Sequence, residues 1–143
     1  MPQLDYPNAD YRMANLKVHG ERLNAILIAK ILQHQGIKTR FLQPGLIVTG
    51  TPNNAEVNPE TYVNLKRVKL NDDERVIFSG FYDITPSGHI ATFSRGGSDI
   101  TGAVLARGLN AALYENFTDV DAIFSANPHI IDQPKPIKKM TYI

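Results

Sequence analysis

Apolar positions along the chain alternate between two periods. Leu23, Ile26, Leu27, Ile31 and Leu32 recur at helical spacing and predict a helix over about 21–35. Ile28 and Ala29 widen that stripe, so this helix is expected to be buried on most sides. Gly36 is a plausible C-terminal cap, and Ile37–Leu42 reads as a strand after a minimal turn. Residues 1–18 are polar and weakly periodic. They read as a loop leading into a short helix from Asp10. Leu46–Thr49 is a second short apolar segment, followed by turn chemistry at Thr51-Pro52-Asn53-Asn54. Asn58-Pro59-Glu60 has an N-cap residue, a proline and a first-turn acid, and predicts a helix to about Val68. Arg75–Phe78 reads as a buried strand, and Ile90–Phe93 as another beyond the turn at Thr85-Pro86-Ser87-Gly88. A further helix is expected from Ile100 to about Leu113. Its apolar face is Ile100, Ala103, Val104, Leu109 and Ala112 or Leu113, with close packing at Gly102 and Gly108. Tyr114–Thr118 is a last strand candidate, closed by Asp119-Val120-Asp121, and 127–139 reads as a proline- and lysine-rich surface excursion. Alternating strands and helices predict an α/β fold with a mainly parallel sheet.

Composition narrows the function more than the fold. The 143 residues carry a net charge of +1, which argues against an electrostatically driven nucleic-acid or membrane partner. The absence of cysteine excludes disulfides, zinc–thiolate sites and thiol catalysis. The longest apolar run, Ala25–Ala29, is far short of a membrane span, and the first residues lack a basic and apolar signal pattern. The reading is a soluble, intracellular single domain.

Three segments carry candidate chemistry. In Ser94-Arg95-Gly96-Gly97-Ser98-Asp99, a glycine pair lets the backbone approach an anion just before a helix N-terminus. Arg95 adds a bidentate donor for carboxylate or phosphate, and Asp99 could hold an ammonium group. A purely structural reading stands beside this one, with Ser98 as an N-cap, Asp99 favouring the helix dipole and Gly-Gly as a turn. Thr118-Asp119-Val120-Asp121 follows a predicted strand, where a base, ribose or magnesium ion would bind in a parallel sheet, or where an Asx turn would simply end the strand. Glu21 is either a helix-start acid or a carboxylate facing a substrate amine. The four histidines have no metal-ligand spacing, and no metal site is expected.

Taken jointly, these runs resemble a known family. Gly80-Phe81, Gly88 and Ser94-Arg95-Gly96-Gly97-Ser98-Asp99-Ile100-Thr101-Gly102-Ala103 look like the aspartate kinase signature. So do Thr118-Asp119-Val120-Asp121-Ala122-Ile123 with Asn127-Pro128, and the helix start Gly20-Glu21-Arg22-Leu23-Asn24-Ala25. The resemblance spans most of 19–143. It implies the amino-acid kinase (carbamate kinase-like) α/β/α sandwich and transfer of the γ-phosphoryl group of ATP, with magnesium, to the β-carboxylate of L-aspartate. It also implies a cytoplasmic enzyme of the lysine, threonine and methionine pathways, a homo-oligomer at full length. By resemblance, Glu21 and Asp99 would hold the substrate ammonium group and Arg95 its α-carboxylate. Gly96, Gly97 and Ser98 would shape the anion loop, and Thr118, Asp119 and Phe124 would line the nucleotide site.

The chain also departs from the family. Ser94 stands where a glycine is usual, Ala122 replaces another glycine, and Phe124 replaces a tyrosine near the adenine. Asn127-Pro128-His129 replaces an Asp-Pro-Arg, removing a guanidinium expected near the ATP phosphates. The family's phosphate-clamping Lys-Phe-Gly-Gly loop does not occur before Glu21, and a second lysine segment and the regulatory ACT domains would lie past Ile143. The expectation is therefore one partial kinase domain holding the amino-acid site and part of the nucleotide site, with no catalytic residue assigned within it. An inactive fragment, or another amino-acid kinase acting as a ligand-binding or association module, is the alternative.

Overall fold

The computed structural model describes residues 6–117, 123–127 and 130–139. Its first element, α1, runs from Ala9 to His34. The short helix expected from Asp10 and the helix predicted over about 21–35 are thus one continuous helix, with no break between them. Its ends are set locally. Asn8 caps the start, its Oδ1 accepting from the Asp10 and Tyr11 amides at 3.0 and 3.3 Å, and Asp10 complements the dipole. At the other end Gly36, at φ 81°, donates to Gln33 O at 3.0 Å while Ile37 donates to Leu32 O at 3.0 Å, a Schellman stop.

The burial of α1 corrects a second expectation. Its buried residues are Ala14, Val18, Ala25 and Ala29, a stripe of mostly small side chains lying against the strands. Leu23 and Leu27 are more than half exposed, and Ile28 and Ile31 are also exposed. The helix is therefore buried along one seam, because small residues let it approach closely there while its larger side chains point elsewhere.

After α1 come β1 (Thr39–Leu42), β2 (Val48–Thr51), β3 (Asn54–Val57), α2 (Glu60–Leu65), β4 (Arg75–Phe78), β5 (Tyr82–Ile84), β6 (Ile90–Thr92) and α3 (Gly97–Gly108). The expected parallel pairing is present: β1 and β4 run parallel, with Phe41 opposite Ile77. Two antiparallel hairpins accompany it, β2–β3 across the predicted turn at 51–54 and β5–β6 across the turn at 85–88. An isolated parallel bridge, Ile47 to Ile84, joins the two regions. Strands β3 and β5 were not expected from the sequence. The expected strand over Tyr114–Thr118 does not form over 114–117, and Thr118 lies outside the described residues.

The core gathers Leu46, Val48, Ala55, Leu65, Ala91, Phe93, Val104 and Leu105 between the hairpins and the α2–α3 pair. Helix α3 begins earlier and ends earlier than predicted. It buries Thr101, Val104 and Leu105, whereas Ile100 and Ala103 are exposed. The expectation of close packing at its glycines holds. A Cβ at Gly108 would collide with the Leu65 side chain, and one at Gly102 would lie 2.6 Å from the Tyr114 hydroxyl.

Asp83 on β5 is a buried carboxylate, 1% exposed. Its oxygens accept from the Leu46 amide at 2.8 Å and the Ile84 amide at 2.9 Å, tying the entry to β2 onto β5. Burial pushes its pKa from 3.8 up to about 6, against the pull of backbone donors at Leu46, Ile84 and Gly45. The folded state therefore holds this proton more tightly than the unfolded chain does. The stabilising contribution is full below the unfolded value and is lost as pH rises through about 6. We predict that the stability advantage of wild type over Asp83→Asn in urea titrations shrinks by up to about 3 kcal/mol between about pH 4 and about pH 7. A constant difference across that window would contradict the assignment.

Candidate functional site

The site forms where three elements converge: the middle of α1, the carboxyl end of β4 and the start of α3. In a parallel pair the carboxyl ends of the strands are where ligands gather. Glu21 projects from α1 in a half-buried position, and its Oε1 accepts from the Gly80 amide at 3.2 Å. The acid that opens the predicted helix therefore sits mid-helix in the structure, and it is held by the residue that ends β4.

Gly80 leads into Phe81, which has φ 56°, the left-handed region that ordinarily costs a non-glycine residue about 1 kcal/mol or more. Three contacts hold that turn. The Phe81 amide donates to Thr101 Oγ1 at 3.2 Å, the Phe81 carbonyl accepts from the Phe93 amide at 2.9 Å, and the ring packs edge-on against Tyr82. Thr101, itself buried, passes its own proton to the Gly97 carbonyl at 2.8 Å. One hydroxyl thereby couples the Phe81 turn to the first turn of α3.

The glycines of the predicted anion loop explain themselves by proximity. Gly96 takes the N-cap position of α3 at φ 60°, so the cap is not Ser98. A Cβ at Gly97 would lie 2.6 Å from the Phe81 Cβ, so only glycine lets α3 start against the turn. Ser98 packs on Gly80, where an added Cβ would meet Ser98 Oγ at 2.9 Å. The amides of Gly97, Ser98 and Asp99 open the helix, a place without intrahelical acceptors.

The structure thus brings Glu21, Gly96, Gly97 and Ser98 together around Gly80–Phe81. Arg95 and Asp99 flank them and are exposed; among the described residues neither side chain forms an ion pair. An unengaged guanidinium and an unengaged carboxylate at one helix start, with a second carboxylate at Gly80, match the charge pattern of an amino-acid zwitterion. Thr118 and Asp119 lie outside the described residues. Phe124 is half-buried and forms an antiparallel bridge with Pro136, within the 123–137 segment. No cluster of three or more metal-ligating side chains occurs among the described residues. No helix among them is long and apolar enough to cross a membrane.

Sequence reasoning did not assign Phe81 or Thr101 to the site. A phenylalanine gives no hint of a left-handed turn. A threonine four residues inside a helix shows its role only when the second partner, from another element, is known.

Comparison with known proteins accords with this geometry. The amino acid kinase family model matches residues 6–143, and the chain belongs to that family. Aspartokinase 3 of Bacillus subtilis is 47% identical over 141 residues, covering 96% of this chain and 31% of that protein. An aspartokinase of Mycolicibacterium smegmatis is 34% identical, covering 91% and 32% respectively. Among solved structures, Escherichia coli aspartokinase III in complex with aspartate and ADP superposes with a TM-score of 0.80 at 26% identity, over 92% of this chain and 30% of that one. The chain spans about a third of the length of these relatives.

Thr101 gives the sharpest test of the coupling. Thr101→Val keeps the shape but leaves the Phe81 amide without its acceptor and removes the side-chain bond to the Gly97 carbonyl. It should cost about 1–3 kcal/mol in chemical denaturation, and Thr101→Ser should recover most of that. A Thr101→Val variant as stable as wild type, with the loss falling on Thr101→Ser instead, would show that the methyl group, not the hydroxyl, matters.

Proposed function

We propose that this chain is the amino-acid-binding segment of an aspartate kinase, whose whole protein transfers the γ-phosphoryl group of ATP to the β-carboxylate of L-aspartate. One observation carries the reading: Arg95 and Asp99, without ion-pair partners among the described residues, flank the glycine start of α3 that packs on the Glu21-bonded turn. Aspartate bound in the Escherichia coli relative supports the substrate class. In this reading Arg95 grips the α-carboxylate, while Glu21 and Asp99 share the ammonium group. The amides opening α3 offer donors to an anionic group, in line with phosphoryl transfer as chiefly positioning and charge stabilisation.

ADP in the same relative supports a nucleotide co-substrate, with Thr118, Asp119 and Phe124 on its side of the site. Magnesium belongs with that nucleotide, where it would neutralise phosphate charge; the described residues offer no acidic cluster for it, so no role here runs through it. The chain is one partial kinase domain of a cytoplasmic, homo-oligomeric enzyme. The solvent-exposed Leu23, Leu27, Leu113 and Phe117 favour a second property, association with further protein surface.

Two measurements test the proposal. The 143-residue chain alone should form negligible aspartyl hydroxamate from ATP and aspartate, and robust turnover would sink the fragment reading. In the whole enzyme, Arg95→Ala should raise KM for aspartate by about tenfold to a hundredfold. An unchanged KM would remove Arg95 from the substrate site.

A further inference from the structure

A second cavity lies beside α1, lined by residues distinct from those of the site above. Its volume is about 370 Å³, within the range of small-ligand pockets. On the helix it is lined by Asn15, Val18, His19 and Arg22, spaced i, i+3, i+4, i+7 and so on one face. Gln43 and the β5–β6 hairpin form the other wall, through Tyr82, Ile84 and Ile90.

Its polar groups are mostly donors. Arg22 has no hydrogen-bond or ion-pair partner among the described residues, and no acid lines the cavity. Tyr82 is 1% exposed, and its hydroxyl oxygen accepts from Gln43 Nε2 at 3.2 Å and from Ser79 Oγ at 3.1 Å. With Ser79 and Gln43 donating, the Tyr82 proton is available to an acceptor in the cavity. His19 Nδ1 lies 2.6 Å from the Asn15 carbonyl oxygen and donates to it, which orients the ring. Val18, Ile84 and Ile90 supply apolar wall, which strengthens any charge pairing inside. A neighbouring cavity of about 340 Å³ shares Asn15, Ile84 and Ile90 and adds the Tyr11–His89 ring pair, centroids 4.9 Å apart.

We propose that this cavity is a binding site for a small oxyanion, a carboxylate or a phosphate group. Arg22 neutralises it, the Tyr82 proton and the Gln43 amide fix its orientation, and any planar body lies along the Tyr11–His89 side. Arg22 follows Glu21, and Tyr82 follows Phe81. The occupant therefore rests on the two elements that shape the amino-acid site, without touching that site's own side chains.

The test is an amide NMR titration of the 143-residue chain with sodium phosphate in one arm and sodium benzoate in the other. Saturable shifts are expected over 15–22 and 82–84 in at least one arm, and which arm responds identifies the oxyanion. Arg22→Gln should weaken binding at least about tenfold, and Tyr82→Phe by a smaller factor. Arg12→Gln, on the same helix but outside the lining, should leave it unchanged. Linear, non-saturating shifts in both arms would overturn the proposal. So would shifts confined to 95–100, or equal affinity in a folded Arg22→Gln. Should Arg22→Gln fail to fold, undiminished binding by Tyr82→Phe would overturn the assignment of the hydroxyl.

Discussion

The left-handed turn at Phe81 is the constraint on which the site depends. It lets the chain leave the parallel strand β4, present the Gly80 amide to Glu21 and still return its carbonyl to Phe93. The conformation is unfavourable for a phenylalanine and persists because neighbours over-determine it. Thr101 holds its amide, β6 holds its carbonyl, and Gly97 leaves room for its Cβ. Three elements distant in sequence are thereby fixed against one another before any ligand arrives. That pre-organisation is what a binding site for a small, highly charged molecule requires.

Packing around this point is uneven. The hairpins and the α2–α3 pair enclose a true core, whereas α1 touches the strands through alanines and a valine. Leu16, Leu23, Leu27, Ile28 and Ile31 of this helix remain in solvent, as do Leu113 and Phe117 beyond α3. Parallel strands are ordinarily covered on both faces, and a two-stranded parallel pair alone has little cover. The proposed association with further protein surface rests on these exposed side chains, in a chain that spans about a third of its relatives' length.

Much of the fold was legible in the pattern, for identifiable reasons. Strand β4 was readable to the residue because an apolar run sits between Asn71-Asp72-Asp73 and Gly80. Strand β5 was not, because Tyr82-Asp83-Ile84 is short and buries an acid, which interrupts the apolar pattern that marks a strand. The continuity of the short helix from Asp10 with the helix that follows was hidden because the buried seam between them is carried by Ala14 and Val18, too small to stand out as a stripe. The start of α3 was placed too late because its cap is a left-handed glycine rather than the serine that capping rules favour. At the site, the resemblance pointed to Glu21 and the Gly96–Asp99 loop and left open how they meet. The meeting runs through Gly80, Phe81 and Thr101, whose roles exist only in three dimensions.

In the proposed function, Glu21, Arg95 and Asp99 together receive one amino-acid zwitterion. A crystal structure of the whole enzyme with L-aspartate tests this most directly. The expected result is the α-carboxylate on the Arg95 guanidinium and the ammonium group within hydrogen-bond reach of both Glu21 and Asp99. An aspartate bound with its ammonium group away from Glu21, or with Arg95 turned out to solvent, would contradict it.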